Sequence, residues 1–136
     1  MKSRNGSLIR LKKFQVDEHR QQVVQIEMMV ADFERMAAEL DQQIEIEHNK
    51  TGISDATHFA YSTFAKAALV RRDNLLASAS DMREKLETAQ DQLAEAIEEL
   101  KKVETLSERE HQRQKAEEIK AEQAEYDEIA RIRHIR

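Results

Sequence analysis

Apolar side chains return along the chain mostly in alternating steps of three and four. Val16, Val23, Ile26, Val30, Phe33, Ala37, Leu40 and Ile44 keep the 3.5-residue period of a coiled-coil seam. Traced towards the N-terminus, the same seam meets His19, Lys12 and Ile9. These polar members weaken that end and can fix its register. A second, longer series runs through Ala65, Ala68, Arg72, Leu75, Ala79, Met82, Leu86, Ala89, Leu93, Ala96, Leu100 and Val103. Its recurring alanines let a partner helix approach closely. The two series predict one helix over about 8–48 and another over about 56–130.

Between them lies Asn49-Lys50-Thr51-Gly52-Ile53-Ser54-Asp55. Gly52 can adopt the left-handed conformation that closes a helix. Ser54 or Asp55 can cap the next one by accepting orphan backbone N–H groups. A turn over 49–55 makes the flanking helices antiparallel neighbours. Residue 48 then faces about 56, and residue 8 faces about 96. Past about Val103 the second helix outruns the first, where its seam positions turn polar at Ser107, Glu110 and Gln114. Ser107-Glu108-Arg109-Glu110 also reads as a capping box, so either a continuous helix or a new one is compatible with the pattern. The expected fold is all-α, one domain over 1–136: a long antiparallel two-helix coiled coil, a helical hairpin with a C-terminal helical overhang.

Composition agrees with this picture. Charged residues make up 36% and aromatics 4% of 136 residues, and there is no proline. The two glycines, Gly6 and Gly52, leave helix free to run between and beyond them. No cysteine is present, which removes disulfides, thiolate nucleophiles and cysteine-ligated zinc. No apolar run approaches the roughly 20 residues of a membrane span, and no secretory signal is recognisable, so a cytoplasmic location is expected.

The net charge of -5 conceals a polar layout. Lys2, Arg4, Arg10, Lys12 and Lys13 make one end basic, as do Arg131, Arg133 and Arg136 at the other, while acidic residues dominate between Glu84 and Glu128. Such a body would repel phosphate, so no nucleic acid is expected as a partner. A membrane-surface contact through the basic ends would have only a thin apolar face to use.

Chemistry-bearing constellations are missing from the pattern. Two isolated glycines make no phosphate loop. His19, His48, His58, His111 and His134 lack ligand spacing on one face. The carboxylates interleave with lysines and arginines as an ion-paired surface does. Asn49-Lys50-Thr51 matches a glycosylation acceptor by chance in a chain without a leader. No enzyme activity, cofactor or metal is expected.

Two features invite a partner. His58-Phe59-Ala60-Tyr61-Ser62-Thr63-Phe64 holds three of the six aromatics, either as a plug for the end of the coil or as a docking spot. The tail carries Ile119, Tyr126, Ile129 and Ile132 along a helix with no intramolecular partner, beside Arg131 and Arg133. That is either a frayed end or a stripe for an acidic-rimmed surface.

Several strings resemble the FliJ family of flagellar export proteins, alphaproteobacterial members in particular, over nearly the whole chain. They are Leu8-Ile9-Arg10-Leu11-Lys12-Lys13-Phe14, Glu34-Arg35-Met36, Thr51-Gly52-Ile53-Ser54-Asp55, His58-Phe59-Ala60-Tyr61 and Arg71-Arg72-Asp73-Asn74-Leu75. The resemblance implies a two-helix coiled coil similar to the stalk of rotary ATPases, without catalytic residues. It implies an export ATPase (FliI) as partner, an export gate (FlhA), substrate chaperones, and peripheral association with the membrane export apparatus. By the same analogy the gate contact would fall at Phe59, Tyr61, Phe64, Ala65 and Ala68. The competing reading is a cytoplasmic coiled-coil scaffold or chaperone-like adaptor that binds client helices, either alone or as a homodimer.

Overall fold

The computed structural model describes residues 2–135, with side chains from Asn5 onwards. Two helices account for almost all of it: α1, Lys2–Thr51, and α2, Thr63–Ile135. They pack antiparallel as an all-α helical hairpin. Contacts group the chain into two units, Asp17–Ala94 and Met1–Val16 with Glu95–Arg136.

Within Asp17–Ala94 the seam is the one that the periodicity marks. Val23, Ala37 and Ile44 from α1 are buried, with Ala65, Ala68, Ala79 and Ala89 from α2. Leu40, Leu75 and Leu86 are half-buried. A pair of helices has only one face to share, so the small residues disappear completely while the leucines keep one side in water. Ala65 and Ala79 are 0% exposed. Cross-helix ion pairs edge the seam: the Arg72 guanidinium donates to Asp41 at 2.9 Å, and Arg83 donates to Glu34.

The reversal is longer than the seven residues expected. Helix α1 runs on through Thr51, and Gly52 then takes φ +74°. The Gly52 N–H donates to the His48 carbonyl at 2.8 Å, the single-bond left-handed closure of a helix. Helix α2 starts at Thr63 rather than 56. Neither Ser54 nor Asp55 caps it. The cap is Ser62, whose Oγ accepts the Ala65 N–H at 3.2 Å and itself donates to Glu47 of α1 at 2.9 Å. The Asp55 carboxylate instead accepts the Thr57 N–H and hydroxyl at 2.9 and 2.7 Å. Such local side-chain bonds compete with the helix ladder and hold the link in tight turns. They also keep the Asp55 carboxyl below its usual range.

Within Met1–Val16 and Glu95–Arg136, α1 begins at Lys2 rather than at Leu8. Gly6 lies inside the helix, where its cost of about 1 kcal/mol does not stop propagation. Ile9, Lys12 and Val16 take the seam with Ala96, Leu100 and Val103. Lys12 donates to Glu99 at 2.9 Å, where the expected register pairs residue 12 with about 92. Asn5, Gly6 and Ile9 therefore share a cleft with Ser107, Glu110, His111 and Gln114. The overhang begins after Glu110, not after Val103: Ser107 and Glu110 are half-buried, and every described side chain from His111 to Ile135 is exposed. Helix α2 passes Ser107 without a break.

Candidate functional site

The hairpin tip is built by groups from both helices. The Tyr61 ring is buried against α1, its hydroxyl 2.7 Å from His48 Nε2 and the two rings tilted at 56°. With Ser62 bonded to Glu47, two adjacent residues of the link are tied to two adjacent residues of α1. This fixes the turn that follows Asp55, in which the Tyr61 N–H donates to the His58 carbonyl at 3.0 Å and the Ala60 N–H donates to His58 Nδ1 at 3.0 Å. The result displays Phe59, which is 96% exposed and stacked on His58 with centroids 4.7 Å apart.

The five tip residues thus divide. Phe59 and Phe64 face solvent. Tyr61, Ala65 and Ala68 are buried in the hairpin, where they position the display. The aromatic run combines a plug, Tyr61, with an exposed pair. His48, Glu47 and Ser62 are the supporting residues that sequence reasoning missed. No local signal points to them, because their partners lie 13 and 15 residues away. Ile46 and Val70 are also exposed apolar residues outside the expected set.

The tail is a solvated single helix. Ile119, Tyr126, Ile129 and Ile132 are all exposed, as is Ile135. Tyr126, Ile129, Ala130, Arg133 and His134 line one shallow surface groove. Ile132 lies six residues after Tyr126, about 120° round the helix, so it belongs to a different side. Ion pairs one turn apart stabilise the helix. Arg113 bridges Glu110 at 2.6 Å and Glu117 at 3.1 Å, which holds the Glu110 carboxyl below its usual range. Arg131 pairs with Glu128 at 2.7 Å. Arg136 lies outside the described residues.

Among the described residues no group of three or more His, Cys, Asp or Glu is placed to hold a metal ion, and no helix is long and apolar enough to cross a membrane. What both surfaces offer is exposed aromatic and aliphatic area held on helical supports, which is suited to binding.

Comparison with curated proteins and with solved structures gave no match. Among protein families, the chain matches the one described as "Flagellar FliJ protein" over residues 1–136. The match spans both helices, the link and the tail: the chain belongs to the FliJ family, a family of non-catalytic flagellar export components.

Proposed function

We propose that the chain acts as a stalk-like coiled coil in flagellar type III export, gripped at its tail by the export ATPase ring and offering its tip to the export gate. The observation that carries this reading is the overhang. From His111 to Ile135 the helix is continuous and every side chain is exposed, so α1 buries none of it and reaches only its first turn, at His111 and Gln114. Such a segment extends the packed part of α2 and presents itself whole to a partner that encloses it. Tyr126, Ile129 and Arg133 form its apolar groove, and Arg131 and Arg133 supply charge for an acidic rim.

At the tip, Phe59 and Phe64 would enter the gate protein, with Tyr61, Ala65 and Ala68 fixing their position. Handling of substrate chaperones belongs to the same reading, as does peripheral association with the membrane export apparatus. The test is hydrolysis by the cognate export ATPase. The full chain should raise ATP turnover and promote ring assembly. Arg131→Glu with Arg133→Glu should weaken both, more at low salt than at high salt, since exposed charges are screened within about 10 Å at 0.1 M. Unchanged stimulation by that variant would remove the tail from the contact.

A scaffold or adaptor reading draws on a different stretch. Residues 21–30 contain one charge, Glu27, in a chain that is 36% charged. Val24, Met28 and Met29 there are exposed, which suits a client helix.

A further inference from the structure

His48 and His58 flank the hairpin reversal and bond in chemically different ways. At His58 the partner is a backbone amide: the Ala60 N–H donates to Nδ1 at 3.0 Å. An amide N–H can only donate, so Nδ1 carries no proton in this bond and the neutral ring keeps its proton on Nε2. At His48 the partner is the Tyr61 hydroxyl, 2.7 Å from Nε2. A phenol both donates and accepts, so that contact persists whether or not Nε2 is protonated. One histidine takes up a second proton without losing its partner, and the other cannot. His58 also carries the Phe59 ring, stacked on it with centroids 4.7 Å apart. An imidazole tied to the Ala60 amide is thus the support of a ring that is otherwise surrounded by solvent.

We propose that His58 is a proton-sensitive latch for the tip: neutral, it holds Phe59 in one place, and protonated, it lets the turn over 58–60 go. An imidazolium sets its Nδ1–H against the Ala60 N–H, donor against donor, and the ring must turn away. It is still drawn to the face of Phe59, but the pair of rings is no longer tied to the backbone. Tyr61 stays on His48 and Ser62 stays on Glu47, so the release is confined to the turn and leaves the hairpin intact. His58 is exposed, which gives protons free access. The other charged and titratable groups around the link are Asp55, Glu47, His48, Lys50, Tyr61 and Lys66. The Asp55 carboxylate is bonded to Thr57, Glu47 to Ser62 and His48 to Tyr61, while Lys50 and Lys66 are exposed. The latch is a property of this chain alone, whereas its effect on a partner rests on the reading of the tip as the gate contact. A ring held in advance costs less to order on binding, so the gate should be engaged more tightly by the neutral form.

The test is hydrogen exchange of the Ala60 amide in the full chain, read by NMR at about pH 7.5 and about pH 5.5, a span in which histidine changes charge. The rates are expressed relative to those of an unstructured peptide at the same pH. Protection should fall about fivefold on acidification, the worth of one net hydrogen bond. In His58→Asn the amide oxygen can accept the same N–H without titrating, so protection should be kept at both values. In His58→Ala it should be low at both. Equal protection of the unaltered chain at the two values, or protection retained in His58→Ala, would overturn the proposal. So would a fall in His58→Asn as large as in the unaltered chain, which would assign the effect to another titrating group such as His48. Calorimetry with the gate protein separates the latch from its use: affinity should drop on acidification for the unaltered chain and not for His58→Asn. A latch that opens while affinity stays constant would remove Phe59 from the gate contact and leave the latch itself standing.

Discussion

The Tyr61 hydroxyl lies 2.7 Å from Nε2 of His48, so the last turn of α1 and the start of α2 are joined across the link by one polar contact inside an aromatic one. Removing only the oxygen isolates the polar part. Tyr61→Phe should cost about 1 kcal/mol, the net worth of a partly buried hydrogen bond. His48→Phe should cost a similar amount, and the double variant should cost less than the two together because the contact can be lost only once. Urea unfolding midpoints of the three variants measure this. Strict additivity would mean that the hydroxyl and the imidazole act independently.

The seam should respond asymmetrically to size. Ala79 has no exposed area, so Ala79→Leu forces the helices apart and should destabilise by about 1–3 kcal/mol. Leu86 is only half-buried, so Leu86→Ala should cost about 2 kcal/mol, the low end for deleting leucine atoms. Thermal melts of both variants check the order of effects: in this hairpin an enlarged alanine should harm as much as a truncated leucine.

The Lys12–Glu99 pair sets a pH dependence. The Lys12 ammonium donates to the Glu99 carboxylate and holds its carboxyl below the usual glutamate range. The charged form is favoured in the folded chain. Its contribution is therefore complete above the ordinary glutamate value of about 4.3 and is lost as pH falls through the lowered one. Urea midpoints taken from pH 6 down to about 3 should decline in this window. Lys12→Met should flatten that part of the decline. An identical profile in the variant would assign the decline to other carboxylates.

Ending the chain after Glu110 should leave the hairpin melt nearly unchanged, because the side chains removed, His111 to Ile135, are exposed. The same truncation should abolish stimulation of the export ATPase. A hairpin that unfolds on truncation would show that the tail packs on the body in solution. One that folds and still stimulates fully would shift the contact to Phe59 and Phe64.

The seam was legible in the sequence because its period is a property of one chain segment at a time. From Val16 to Ile44 and from Ala65 to Val103, the residues marked by spacing alone are all buried or half-buried. The start of α2 was not legible in the same way. Ser54, Asp55 and Ser62 are equivalent cap residues on local grounds, and the choice of Ser62 is made by Glu47, which reaches it from the other helix. The beginning of the overhang was not legible either: Ser107 and Glu110 are polar, yet both are half-buried. The tip was half legible. Its aromatics announced themselves, but which face solvent depends on His48, and no spacing rule connects His48 to Tyr61.

The tail's continuity with α2 has a thermodynamic consequence. An isolated helix of its length would spend much of its time unwound, since nucleation is unfavourable and short helices are marginal in water. Here the nucleus already exists in the packed part of α2, and each further residue only extends it. The ion pairs of Arg113 and Arg131 help to hold the extension against fraying. A protein that closes round the tail therefore meets a surface whose backbone entropy has already been surrendered. Little of the binding free energy is then consumed in ordering the helix. Salt, by weakening those pairs, would return that entropy and make the same surface harder to hold.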